Sequence, residues 1–192
     1  MEKLITEFFE KNGTYSLDLA HISSFNDQII DDFIESSYFY KIIFSHAVFQ
    51  DCEFYDTNLN NCLFRNCKFS NVKFPKSKIR DCVFDNCSFL NCSFNTRLKI
   101  DKTLFKSSQF SNVDFSSLFL FKCKFEDVVL TKIHFENTFI AEFKTKNVRF
   151  YGLEFNQNKP LIFYKSEKDF QKNESFNIKD PLNFRKKVLN LD

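Results

Sequence analysis

The 192-residue chain has no tryptophan, two glycines, three prolines and three histidines. With Gly13 and Gly152 so far apart, no glycine-rich loop can be written to cradle a phosphate. His21, His46 and His134 are scattered, and none lies in a pattern that would activate a nucleophile or hold a metal. No apolar run reaches the roughly 20 residues that a membrane-spanning helix needs. The opening "MEKLITEFFEKNGTYS" has acidic residues inside its short apolar stretch, unlike the hydrophobic region of a signal peptide. Charge is nearly balanced, 27 Lys and Arg against 25 Asp and Glu, so it names no partner class. These absences predict a cytoplasmic, non-enzymatic protein with no catalytic residues, no metal, no cofactor and no membrane span.

What is abundant is phenylalanine, with 29 copies, and so many aromatics argue against a disordered chain. In "NCLFRNCKFSNVKF", residues 61–74, Phe64, Phe69 and Phe74 recur at every fifth position. A helix repeats at 3.6 and a strand at 2, so neither alone gives this period. Large apolar centres carry it from Phe39 through Phe44, Phe49, Phe54, Leu59, Phe64, Phe69, Phe74, Ile79, Phe84 and Phe89 to Phe94. One residue is inserted within "NTRLK". The series then resumes at Ile100 and runs to Phe155, with Thr145 its one polar centre. Cys52, Cys62, Cys67, Cys82, Cys87, Cys92 and Cys123 all lie two residues before a centre. That is a single packing position repeated, not the spacing of a zinc site, and it reads the cysteines as small buried hydrophobes.

On this repeat the chain resembles the pentapeptide-repeat family over roughly residues 37–156. The resemblance implies an all-β fold, a right-handed quadrilateral parallel β-helix. Each pentapeptide forms one side, and four make a coil of twenty residues, about six coils in all. The chain departs from the usual pattern of the family. Asn or Asp stands three residues before the centre (Asn61, Asn66, Asn71, Asp81, Asn86, Asn91) rather than directly before it. The resemblance also implies two modes of action. Members of the Qnr type mimic duplex DNA and act on type II topoisomerases such as gyrase, altering quinolone sensitivity. In some members a C-terminal helix makes a homodimer.

The period of twenty is legible without the resemblance. Written as every fourth centre, one column reads Phe54, Phe74, Phe94, Phe115, Phe135, Phe155. Another holds Leu59, Ile79, Ile100, Leu120 and Ile140, five of the seven centres that are not Phe. Stacked coils about 4.7–4.9 Å apart would give a rod of roughly 30 Å. The predicted core is that Phe column with Cys62, Cys67, Cys82 and Cys87 between columns. Stacking brings Cys62 near Cys82 and Cys67 near Cys87, within disulfide range, but parallel side chains and a reducing compartment favour thiols. The cross-section should distort near Phe143 and Thr145, where a large and a polar residue exchange positions.

Three segments follow: 1–36 as an N-terminal cap, 37–156 as the β-helix, and 157–192 as a C-terminal cover. Residues 1–12 suit an amphipathic helix with Leu4, Ile5, Phe8 and Phe9 on one face and Gly13 as its stop. "SFNDQIIDDFIESS" reads as a second helix or as an irregular first coil centred on Ile29 and Ile34, with a capping role preferred. After Phe155 the repeat stops. The last helix, with Asp180 as N-cap and Pro181 in the first turn, reads equally as a cap or as a dimer contact.

The outward positions give three candidate surfaces. Phe119, Phe121 and Phe139 form an exposed aromatic cluster, the expected interface. Ile43, Leu63, Val83 and Leu104 form an aliphatic stripe expected to receive the N-terminal helix. Lys76, Lys78, Arg80, Arg97, Lys99 and Lys102 cluster around the insertion as a basic patch. Between residues 40 and 155 there are 17 Lys and Arg against 12 Asp and Glu, which disfavours an acidic DNA mimic. A rigid scaffold for an unknown protein partner leads. A homodimer, a topoisomerase-binding mimic and polyanion binding through the basic patch stay open, with nucleic acid the least favoured partner.

Overall fold

The computed structural model describes residues 24–26, 29–30, 33–95 and 97–188. Short strands, most of three residues, stack in parallel on four sides of a solenoid of about six coils. Side one is an eight-stranded sheet beginning with Tyr38–Tyr40, Asn58–Asn60, Lys78–Arg80 and Lys99–Asp101. It continues through Phe119–Phe121, Phe139–Ala141 and Leu161–Tyr164. Side two runs in seven strands from Ser24–Asn26 to Lys144–Lys146, and side three in seven from Ile29–Ile30 to Arg149–Phe155. Side four is less regular. It is built from the Phe33–Glu35 and Glu53–Tyr55 pair, from bridges along Lys73, Ser93 and Asp114, and from strands that turn the corner from side three.

The register follows the predicted columns. Phe64 pairs with Phe84 at an offset of 20, and Phe84 with Phe105 at 21. The inserted residue is therefore absorbed between two coils without shifting any side chain to another side. At each corner, three residues before the centre, the backbone is left-handed, with φ between 48° and 68° from Ser36 to Asn147. That conformation disfavours most side chains, but Asn and Asp tolerate it by bonding locally. Here they also bond between coils: Asn86 Nδ2 donates to Asn66 Oδ1 at 2.8 Å, and Asn71 Nδ2 to Asp51 Oδ1 at 2.7 Å. Gly152 takes the last such corner, φ 62°.

Inside, the rings stack. Phe44, Phe64 and Phe84 are 4.6 Å apart and within 5° of parallel, and Phe49, Phe69 and Phe89 stack likewise at 4.7 Å. Neighbouring columns meet edge to face, as at Phe84 and Phe89 (5.6 Å, 62°), the geometry that ring quadrupoles prefer. Each fully buried Phe contributes about 1.5–3 kcal/mol by transfer. Phe54, Phe74, Phe94, Phe115 and Phe135 are buried, as are Cys62, Cys67, Cys82 and Cys87, while Phe155 is half-buried against the core.

Near Thr145 the exchange takes a definite form. Thr145 keeps its register opposite Phe125 but is half-buried. The Phe143 ring fills the vacated space, 4.8 Å from Phe125 and edge-on.

Strand pairing runs from Ser24 to Tyr164, wider than the 37–156 span of the sequence pattern. Phe25 pairs with Phe44, Ile30 with Phe49 and Ile34 with Phe54. The segment preferred above as a cap is thus the irregular first coil, and its centre is Ile30 rather than Ile29. The step from Ile30 to Ile34 is one residue short, which hid it from a count of fives. After Phe155, a further strand brings Phe163 opposite Ile140. That segment had read as irregular cover because five loop residues, 156–160, interrupt the rhythm. The expected helix over residues 1–12 lies outside the described residues.

The C-terminal segment folds onto the end of the rod. Phe176–Ile178 pairs antiparallel with Leu161–Tyr164. Asp180 caps the next turn, accepting from Asn183 N–H at 2.9 Å, with Pro181 at its start. This delivers Phe184, fully buried, to 5.3 Å from Phe135 and 5.9 Å from Phe155. The turn therefore packs on the end of the rod through Phe184.

Candidate interaction surface

In a strand with its centre inward, the residues before and after the centre point outward. Side one therefore presents two rows. One reads Tyr38, Asn58, Lys78, Lys99, Phe119, Phe139, Ile162, and the other Tyr40, Asn60, Arg80, Asp101, Phe121, then Ala141 and Tyr164, which are buried. The basic patch and the aromatic cluster, separate in the sequence reading, become one surface. Lys99 is the direct strand neighbour of Phe119, and Asp101 of Phe121.

Within the patch, Lys78 and Lys99 are paired neighbours, with Lys76, Arg97 and Lys102 at the flanking corners, all exposed. Arg80 lies 3.3 Å from Asp81 and 3.4 Å from Asp101, so its charge is largely answered. The Lys76 ammonium donates to the Tyr55 hydroxyl, and that bond holds its pKa above the usual lysine value. The positive field open to a partner is narrower than six residues suggest.

Phe119, Phe121 and Phe139 are half-buried, with Phe119 6.4 Å from Phe121 and 6.3 Å from Phe139. Lys122, a corner residue that the sequence reading passed over, sits 4.8 Å from the Phe121 ring centre in a cation–π contact. Its place two residues after a centre was the signal that could have found it.

Charge is divided by side, which a total over the rod concealed. Glu35, Glu53, Asp114, Glu136 and Glu154 face out of side four against Lys73 and His134. Glu136 accepts from Lys159 Nζ at 2.7 Å and Asn156 Nδ2 at 3.0 Å, and these bonds hold its carboxyl below the usual range. His134 lies between Glu136 and Glu154, at 3.8 and 3.7 Å.

The cysteine position is more than a place for a small side chain. Cys62 Sγ reaches Phe39 O at 3.5 Å, Thr57 Oγ1 reaches Ile34 O at 3.1 Å and Ser108 Oγ reaches Phe84 O at 3.2 Å. Each is a donor to a carbonyl of the preceding coil. The alternation of Cys with Ser and Thr at this position was the available signal. No cysteine is in a disulfide. Burial pushes the Cys92 thiol up to about 11 and Cys123 to about 12. Cys82 and Cys87 are raised too, by hydrogen bonding with Cys62 and Cys67 and then by burial.

Because these folded-state values exceed the 9.0 of an ordinary thiol, the folded protein holds its protons more tightly than the unfolded chain. Stability from these groups is intact below pH 9 and falls as pH rises towards 12. Urea melts at pH 7, 9 and 10.5 should show the decline begin at pH 9 and deepen at 10.5. Iodoacetamide should label all seven thiols after denaturation and none before.

Among the described residues no group of His, Cys, Asp or Glu is arranged to hold a metal ion. No helix among them is long and apolar enough to cross a membrane. Residues 42–81 match the family model for pentapeptide repeats in eight copies. No curated protein matches the chain. Among solved structures, full-length QnrB1, a plasmid-mediated fluoroquinolone resistance protein, aligns at 13% identity over 71% of this chain and 95% of its own, TM-score 0.27. Rfr23, a pentapeptide repeat protein from the cyanobacterium Cyanothece 51142, aligns at 9% identity over 80% and 97%, TM-score 0.32. HetL of Nostoc sp. strain PCC 7120, involved in heterocyst differentiation regulation, aligns at 7% over 82% and 95%, TM-score 0.18.

Proposed function

We propose that this pentapeptide-repeat protein, matched to the family over residues 42–81, is a non-enzymatic rigid scaffold that docks a protein partner on side one. The observation that carries this reading is the continuous file of Lys78, Lys99, Phe119 and Phe139 on one flat sheet, with Phe121 two residues from Phe119 on the same strand. Aromatic anchors rimmed by charge are what protein interfaces concentrate. The partner this surface fits is acidic, with an apolar side chain to lie on the rings. Arg80 is already paired with two aspartates, which weakens the alternative of a bare polyanion.

Replacing Phe119 and Phe121 together by serine is the test. Both point outward, so the fold should survive with a stability change of about 1 kcal/mol or less. Partner capture by cross-linking, or self-association seen by sedimentation, should be lost. Unfolding of the double variant would show that the cluster is covered core instead.

A second reading, binding to a type II topoisomerase, is supported by the acidic side four, since a DNA mimic needs one negative face and not a negative rod. It is tested by adding the purified protein to gyrase supercoiling and quinolone-cleavage assays. Inhibition or protection at micromolar protein, abolished by Glu53→Lys with Glu154→Lys, would support it. An unaltered gyrase reaction would remove it.

A further inference from the structure

Beyond the file of Ile43, Leu63, Val83 and Leu104, the outward face of side two turns basic. One row continues as Lys124 and Lys144, and the other reads Lys106, Glu126, Lys146. The four lysines are exposed and surround Glu126. Lys124 bonds to Glu126, and that bond, with the fields of Lys146 and Lys106, holds its carboxyl below the usual range. Lys124 and Lys144 are direct strand neighbours, a like-charge contact that weakens a sheet. Taken in chain order, side four lies across the rod from side two. Over the same three coils it carries Asp114, His134 and Glu154 in one outward row and Glu136 in the other. A recess of about 290 Å³ opens beside the first row, lined by Asp114, Lys132, His134 and Glu154 among others.

We propose that the basic end of side two docks on side four of a second copy of this chain, the two rods parallel and side by side. The chain runs in opposite directions along opposite sides of a coil. A sideways translation therefore sets the row of Lys106, Glu126 and Lys146 against the row of Asp114, His134 and Glu154, coil for coil. Lys106 meets Asp114, Glu126 meets His134 and Lys146 meets Glu154, while Lys124 meets Glu136. Both faces share the coil spacing of about 4.7–4.9 Å, which keeps the rows in step. The register is selective. A slip of one coil in either direction brings Glu126 against Asp114 or Glu154, a repulsion that disfavours the alternatives. Glu154 is 70% exposed, and the recess beside it has room for the Lys146 ammonium. Glu136 already accepts from Lys159 and Asn156, so Lys124 adds least. Nearer the N-terminus the match ends, since Arg65 would meet Lys73. Exposed ion pairs are individually weak, so the contact is transient. It is also heterologous, and a pure translation never closes, so copies add sideways into an open row. The contact is separate from side one. Association through the rings there would resist salt and be indifferent to Lys146.

Sedimentation velocity of the full chain tests it. In about 20 mM salt the mean mass should rise with protein concentration, and in about 0.5 M salt it should stay that of the monomer. Lys146→Glu and Glu154→Lys, both at exposed positions, should each weaken the low-salt association by about tenfold or more, with unchanged far-UV circular dichroism. Mixed in equal amounts, the two variants should associate again, because each then meets an opposite charge on both faces. An effect of net charge alone would instead move the two variants in opposite directions. If either variant does not fold, zero-length carbodiimide coupling of the wild type reads the same contact. Lys146 and Glu154 lie on opposite sides within a chain, so their cross-link should appear in dimers and not in monomers. The proposal is overturned by a monomer at every concentration, by association that survives salt, by variants that shift in opposite directions, by a mixture that stays apart, or by dimers without that cross-link.

Discussion

Phe94→Ala is expected to destabilise the protein by about 3–5 kcal/mol, the loss seen when a fully buried ring is truncated in a core that cannot collapse around the void. Phe94 has no exposed surface. Its ring lies 5.1 Å from Phe74 in the coil before, 5.4 Å from Phe115 in the coil after and 5.5 Å from Phe89 on the adjoining side. Coils contact only their neighbours, so stability in a solenoid is a sum of coil and interface terms. A lesion in the middle therefore weakens the coupling between two blocks as well as the total. The urea midpoint should fall, and the transition should broaden or split. A near-neutral variant would mean that the four-column packing is not the structure in solution.

Phe184→Ala should cost a comparable amount, about 3 kcal/mol or more, but in a different place. Phe184 plugs the end of the rod against Phe135, Phe150 and Phe155. Losing it uncovers the last coil, and terminal coils of a solenoid need such a cover. Hydrogen exchange should accelerate in Arg149–Phe155 and Leu161–Tyr164 while the strands around Phe44 and Phe64 keep their protection. Uniform acceleration along the whole rod would show that it opens as one unit and that Phe184 is not a local plug.

The contrast between these two residues shows what the sequence could disclose. Phe94 belongs to a column that a count of twenty finds directly, because a buried centre tolerates little variety and repeats itself. The step of 21 past the insertion was legible for the same reason. Phe184 has no periodic partner, and only the chain's return to the rod end reveals its role. Phe163 was hidden in a similar way, since strand pairing and not spacing places it opposite Ile140. Ile29 and Ile30 are adjacent and equally apolar, so the sequence offered no reason to choose between them. On the surface, Phe119, Phe121 and Phe139 were found because large apolar residues break an otherwise polar pattern. The acidic side four was missed because a net charge averages over faces that never meet the same partner.

The bonds that side chains at the cysteine position donate across coils run in one direction. Cys62 reaches back to Phe39, Cys82 to Leu59, Ser108 to Phe84 and Cys123 to Ile100, each towards the coil already passed. A nascent chain leaves the ribosome N-terminus first, at about 5–20 residues per second. Each new turn of twenty residues thus arrives every few seconds carrying a donor whose acceptor is already in place. Assembly can follow synthesis coil by coil, with no need to wait for distant sequence. Phe184, supplied after the last coil, closes the stack.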